Sequence, residues 1–332
     1  MDGDVRLKGS RARFLGAAGL TGAAIATGAW KTGTVGAATA ADPHDFNAGT
    51  FGIDLGNGWE AFVKSVDGGN IVGEVVREVG SAPYYQKKHI GNVKYEEVSF
   101  KIGLPSKGVY DWLTGTLAGQ FTRKTFWLST LDANFVETAR RQFNNALISE
   151  VGFPALDGSS KDAAYMTIKI TSESIEDLPA SGKTVTLDVS KQKVWLQSNF
   201  RLELKNVATS RVSKIDAFTI KQMLATDPIG EEREPGKLEL PNVRAYVSAL
   251  DAASWQAWHR DFVIGGNSGE AAEQAGAIVF LDPLLKEIAR VELGHVGIVK
   301  VAPERSDAST ETINRIRAEM YVETMKFVLP VA

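Results

Sequence analysis

The chain has no cysteine, which excludes disulfide staples and thiolate chemistry and leaves the redox compartment unread. Histidine is nearly as scarce: His44, His89, His259 and His295 are the only four, and they stand far apart. Neither sign of charge dominates, since the net charge is −3 and the pI near 5.9. That balance excludes a general attraction to nucleic acid or to an anionic membrane, although an enclosed interior could still concentrate one sign. Long apolar runs are missing as well. The Gly/Ala-rich stretch Phe14–Trp30 is too short and too glycine-rich for a transmembrane helix.

What is present is the composition of a globular protein, 44% apolar and 23% charged over 332 residues. That length suits two ordinary domains with a core each. Residues 1–46 stand apart as an N-terminal segment. Ser10-Arg11-Ala12-Arg13 leads into the Gly/Ala run, and Ala38-Thr39-Ala40 follows as a small-residue site. These are the parts of an export signal of the twin-arginine kind, with Ala12 separating the arginines, or else of a flexible tail.

From Asn47 the pattern changes to period-2 alternation, the mark of half-buried strands. Phe51, Ile53 and Leu55 begin a strand, Asn57-Gly58 suits a hairpin turn, and Phe62–Val66 returns. Ile71–Val76 and Val93–Ile102 follow, the latter interrupted by Glu96-Glu97. Val109, Trp112 and Leu113 lie at i, i+3 and i+4, which predicts a short helix with Ser106 as its cap. Phe126–Leu131, Asn145–Phe153 and Tyr165–Ile170 read as further strands, the last with Met166, Ile168 and Ile170 on one face.

The same order then returns. Phe200–Leu204 alternates, a loop spans Asp227–Gly236, and Val243–Val247 leads to Asp251, the expected cap of a helix carrying Trp255, Trp258 and Phe262. Ala277–Leu281 ends in Leu281-Asp282, as the first half ends a strand in Leu131-Asp132. Ile288–Leu293, Val296–Val301 and a long closing strand through Ile316, Ala318, Met320 and Val322 complete the half. Matching landmarks lie about 150 residues apart, one domain length. The expected organisation is a domain at 47–177, a linker at 178–193 and a second domain at 194–332.

One resemblance is carried by Lys88-His89-Ile90-Gly91-Asn92-Val93-Lys94-Tyr95, Ile102-Gly103-Leu104 and Val109-Tyr110-Asp111-Trp112-Leu113. Arg123-Lys124, Asn145-Ala146-Leu147 and Phe153-Pro154-Ala155-Leu156-Asp157 continue it. These motifs resemble the tail-tube proteins of contractile phages and phage-tail-like injection systems. The second half resembles them more weakly, through Phe200–Leu204, the Trp255 helix and Glu319–Phe327.

The resemblance implies a mainly β fold, two tandem small β-barrels of the tail-tube type, each with a short flanking α-helix. It implies assembly rather than catalysis: six barrels close a ring, and rings stack into a hollow tube, often inside a contractile sheath. Sheet edges, ordinarily a hazard, become the joints of a polymer. Two barrels per chain imply a trimer with pseudo-sixfold symmetry, with six chains in a two-layer ring as the competing arrangement. Lys88, His89, Gly91, Asn92, Tyr95, Gly103, Trp112, Pro154 and Asp157 are the motif residues expected to serve fold or assembly. Thr167, Lys169, Thr171 and Glu173 on one strand face would suit a water-filled lumen. The partners implied are further copies of the chain and sheath or baseplate proteins, with no reading of nucleic-acid sequence. Assembly would take place in the cytoplasm, or after export if the N-terminal segment is a working signal.

No catalytic, cofactor or metal residues are expected. His89 and Asp132 lack a third group at a useful spacing and read as a turn histidine and a strand-end aspartate. Asp42-Pro43-His44-Asp45 has metal-friendly side chains but no second ligand cluster. Gly52–Gly58 lacks the Lys-Ser/Thr of a phosphate loop, and Gly152-Phe153-Pro154 is no nucleophile elbow. Trp112, Trp255 and Trp258 read as helix packing, and Arg140-Arg141 and Lys87-Lys88 as solvated pairs or ring-joint residues. An exported two-barrel binding module without tube assembly is the alternative function.

Overall fold

The structure, a computed structural model, describes residues 50–56, 58–78, 85–185, 195–226, 233–304 and 314–330. The N-terminal segment 1–46, Asn57 of the expected turn, and residues 186–193 of the expected linker lie outside them. The chain is mainly β, as its alternating segments require.

The first half contributes β1 (Thr50–Asp54), β2 (Trp59–Val63), β3 (Ser65–Gly68), β4 (Ile71–Arg77), β5 (Lys88–Tyr95), β6 (Val98–Ile102), α1 (Lys107–Leu117), β7 (Lys124–Leu131) and β8 (Glu137–Phe153). After the short β9 (Leu156–Asp157) and β10 (Ala163–Ala164) come β11 (Met166–Thr171) and β12 (Ser174–Leu178). Glu96-Glu97 is a true break, so Val93–Ile102 is not one strand but the end of β5 and then β6. Buried Met166, Ile168 and Ile170 alternate with half-exposed Thr167 and Lys169, as period 2 predicts.

The second half holds β13 (Trp195–Leu196), β14 (Phe200–Leu204), β15 (Val212–Ile215), β16 (Phe218–Thr226), β17 (Arg233–Glu239) and β18 (Val243–Ser248). It continues with α2 (Ala252–His259), β19 (Gln274–Leu281), β20 (Glu287–Pro303) and β21 (Arg315–Val328). Ile288–Leu293 and Val296–Val301 are therefore one strand, β20, carried through a left-handed residue at His295 (φ 53°).

The two halves order their strands alike. The first runs β1-β7-β8-β11-β6-β3, with β2 beyond β1; the second runs β14-β19-β20-β21-β18-β15, with β9 beyond β15. Even the irregularities correspond. The β8–β11 ladder shifts register beside Lys169↔Glu150, and the β20–β21 ladder shifts beside Lys300↔Glu319, each residue 150 positions after its counterpart. Asn145 (φ 48°) and His295 (φ 53°) are left-handed at the same point of β8 and β20.

Two features differ from the plain expectation. The described strands form curled sheets, and no ladder among them closes either half into a barrel. In the first half the path returns until its end strands β2 and β3 are separated only by Lys64, but in the second β14 and β15 do not pair. Beyond Ala146, moreover, β8 leaves β7 and takes β16 as its neighbour. The helix caps also differ. Ser106 does not cap α1; its Oγ donates to Glu60 Oε2 (2.7 Å), which also accepts the Gly108 N–H at 3.1 Å. The carboxylate of β2 thus serves the helix N-terminus in its place. Asp251 likewise turns away from α2 to accept from Arg211 Nη1 at 2.6 Å.

One buried apolar cluster runs through both halves. Phe153, at the end of β8, stacks on Phe218 (4.9 Å between centroids) and lies near Phe280 (6.2 Å) and Phe327 (5.8 Å) of the second half. Trp195 closes on Phe280 at 5.3 Å. Strands are exchanged as well, since β9 pairs with β15 and β10 with β13. The halves are fused by core and ladder, not tethered by a loop.

Candidate functional site

The feature that stands out is not a pocket but a seam. At the end of β8, Glu150, Val151, Gly152 and Phe153 pair with Lys221, Ile220, Thr219 and Phe218 of β16. On the other side the same segment pairs with β11. A single sheet therefore passes from β6 through β11 and β8 into β16 and β17, from one half into the other.

One face of this sheet is polar. The registers align Lys101, Thr167, Gly152 and Thr219 in one row and Ser99, Lys169, Glu150, Lys221 and Glu239 in the next. Lys169 Nζ lies 2.7 Å from Glu97 and 3.8 Å from Glu150, and Lys221 lies 3.9 Å from the same Glu150. The hydrogen bond to Glu97 holds the Lys169 ammonium above its ordinary pKa, against the opposing effect of partial burial. In the second half the pair has its signs exchanged, Glu319 standing where Lys169 does and Lys300 where Glu150 does. Glu319 accepts from Asn242 (3.1 Å) and Arg244 (3.3 Å), and these bonds lower its pKa.

Of the four candidate lumen residues, Thr167 and Lys169 sit on this face. Thr171 is a correction: it is buried, 3% exposed, opposite Leu147 and beyond the register shift that the β11–β8 ladder makes after Lys169. Glu173, beyond the strand, is held by Arg123 and by Asn145 Nδ2 (2.8 Å). Sequence reasoning missed Lys101, Glu150, Thr219 and Lys221, whose alignment depends on the register of distant strands.

The motif residues fall in four places. Lys88, His89, Gly91, Asn92 and Tyr95 lie on β5, which with β4 forms a two-stranded arm joined to no other strand among the described residues. Trp112 is buried in the core, and its indole N–H donates to the Thr122 carbonyl at 2.9 Å. Gly103 follows β6, while Pro154 and Asp157 follow β8 at the seam. The Asp157 carboxylate accepts from Ser159 Oγ (2.6 Å) and its N–H (2.9 Å), bonds that lower its pKa.

The arm is apolar on both faces. Ile71, Val72, Val75, Val76, Ile90 and Val93 are all exposed, Ile90 at 65%. A strand with apolar residues on both faces asks for cover on both, and Ile71-Val72 with Val75-Val76 was the legible signal.

His89 approaches Glu78 at 3.8 Å on that arm, with both side chains exposed. Asp132 is committed to its own turn, accepting the Asn134 and Val136 N–H groups at 2.9 and 2.8 Å. His44 and Asp45 lie outside the described residues. Glu273, His295 and Glu323 bring ligand-type atoms within 4.8 Å of one another. His295 Nδ1 meets Glu273 at 2.8 Å, and the Tyr321 hydroxyl donates to Glu273 at 2.6 Å. Burial and that bond push the Tyr321 hydroxyl up to about 12. An ion pair with a phenol bond accounts for this cluster. Among the described residues no helix is long and apolar enough to cross a membrane.

Fold and site together define a β-sheet protein whose distinctive features among the described residues are strand edges and a continuous polar face. Residues 48–176 match the family model of the T4-like virus tail tube protein gp19. Solved structures with similarity include the tube-terminating cap of the anti-feeding prophage (16% identity, 43% of this chain and 97% of that chain, TM-score 0.37). The sheath–tube complex of the PVC extracellular contractile injection system in its extended state is another (16%, 42% and 95%, TM-score 0.36). A type six secretion system protein covers more of this chain (10%, 61% and 98%, TM-score 0.29). No curated protein matches.

Proposed function

We infer that this chain is a structural subunit of a hollow phage-tail-like tube, or of a ring that begins or ends one, and not an enzyme. Each half is read as one tube-type domain at 47–177 and 194–332, the curled sheets completing barrels within an assembled ring of true or pseudo sixfold symmetry. The observation that carries this reading is the β8–β16 seam, where one half extends the sheet of the other by main-chain pairing. The tail-tube match to residues 48–176 supports the same reading.

In such a ring the polar face through Thr167, Lys169, Glu150 and Thr219 is the lumen wall, and the core side holds the neighbouring halves together. Three chains give six tube domains and six chains give twelve in two layers. Partners are other copies of this chain and, along a tube, sheath or baseplate proteins. Negative-stain imaging and native mass measurement of the purified full chain test this. Rings of three or six times the 35.8 kDa chain are expected. A strictly monomeric protein at high concentration overturns the reading.

A further inference from the structure

The seam inside the chain is a template for a joint between chains. Each half has an arm, β4–β5 in the first and β16–β17 in the second, and each has a long strand, β8 or β20, that outruns its neighbour. β7 stops pairing with β8 at Ala146, and β19 stops pairing with β20 at Val296. In the first half the flank this exposes is taken by β16. In the second half no described strand pairs with it, although α2 and the turn after it approach β20.

Burial follows the difference. Ser149, beside the filled flank, is 5% exposed, whereas its counterpart Val299 is 44% exposed. Val301, Ala302 and Pro303 line a groove of about 410 Å³ together with Ile264, Arg260 and Ile316. The arms mirror this. Ile220, at the root of the docked arm, is 1% exposed. Phe100 and Ala245 both lie opposite the last core strand, paired with Ile168 and Ala318. They also pair with Val66 and Ile215, so counting five residues onward makes Ile71 the counterpart of Ile220. Ile71 is 43% exposed, and among the described strands β4 pairs with β5 alone.

We propose that the root of the β4–β5 arm of one copy pairs antiparallel with the free flank of β20 in a second copy, Ile71 opposite Val301. The occupant is a second copy because its own β16–β8 seam already displays the mating geometry in both partners: Thr219 opposite Gly152, Ile220 opposite Val151 and Lys221 opposite Glu150. Transferred, these pairs become Asn70 with Ala302, Ile71 with Val301 and Val72 with Lys300. The contact is head-to-tail, so every copy offers one arm and one flank, and repetition closes a ring or extends a filament. This rests on the tube-subunit reading and names its joint.

The absence of native cysteine makes the test clean. Ile71→Cys and Val301→Cys are prepared as separate full-length variants, mixed under oxidising conditions and run on a non-reducing gel. Asn70→Cys with Ala302→Cys and Val72→Cys with Lys300→Cys probe the neighbouring pairs. Facing residues of an antiparallel pair lie about 4.5–5.5 Å apart at Cα, within disulfide reach. All these sites are at least partly exposed, so folding should survive. A disulfide-linked dimer from at least one mixture, with none when Ile90→Cys replaces the arm variant, is the expected result. Rings that form while no register pair cross-links overturn the joint and leave the tube reading standing. A wild-type chain that does not assemble overturns both.

Discussion

Phe153 and Phe218 stack at 4.9 Å with their rings 19° from parallel, one ring from each half of the chain. They cap a four-residue ladder between β8 and β16, so unfolding either half must expose the other's core. The halves are therefore expected to melt as one unit. Phe218→Ala removes a buried ring and should lower stability by about 3–5 kcal/mol. Calorimetry should give a single transition for wild type, moved to lower temperature in the variant. Two separate wild-type transitions would contradict the fused core.

Gly68 sets the direction of the arm. Its φ is +78°, and a Cβ there would lie 2.2 Å from the Glu97 carbonyl oxygen. Arg141 Nη1 holds the next carbonyl, that of Gly69, at 2.6 Å. Gly68→Ala should cost about 1–3 kcal/mol through backbone strain. Because the strain falls between β3 and the arm, loss of assembly on sizing columns should exceed the loss of secondary structure by circular dichroism.

Glu137 is buried at the start of β8, accepting from Ser129 Oγ at 2.5 Å and from the Ser181 N–H at 2.7 Å. Burial pushes its pKa up, but these bonds and Arg140 outweigh it and hold the carboxyl below 4.5. A lowered folded pKa stabilises above the unfolded value, and the contribution is lost as pH falls through the folded one. Glu137→Gln should cost about 1–3 kcal/mol near neutrality. Urea midpoints of variant and wild type should converge as pH is lowered through the folded pKa.

His295 titrates in the opposite sense. Its bond to Glu273 raises its pKa above 6.5, helped by Glu323 and Glu270. Its contribution is full below about 6.5 and is lost as pH rises through the folded value. Glu273 is held below 4.5 first by the Tyr321 hydroxyl, against burial, and then by His295, so its contribution fades only on acidification. The pair is strongest between these limits. His295→Asn, which copies Asn145 of the first half, should flatten the fall of melting temperature as pH rises from below 6.5 through the folded pKa of His295. An imidazole NMR titration with a midpoint at or below 6.5 in the wild type would refute the assignment.

Local pattern determined much of this protein without help. Period-2 alternation located most strands and chose the inward face of β11 and β21. The stripe Val109, Trp112 and Leu113 located a helix and its buried side. Leu131-Asp132 and Leu281-Asp282 marked two turns that prove alike, each aspartate accepting the N–H groups two and four residues on. These features were legible because each depends on neighbours within one turn or one strand.

The tertiary structure alone decided which strands meet. Alternation says which face is buried, yet it is blind to register and to the partner at each edge. Hence the transfer of β8 from β7 to β16, the row joining Lys169 to Lys221 through Glu150, and the burial of Thr171 could not be read beforehand. The helix N-termini teach the same lesson. Ser106 and Asp251 satisfy the local rule for a cap, but Glu60 and Arg211, brought near by folding, make stronger charged bonds and draw them away.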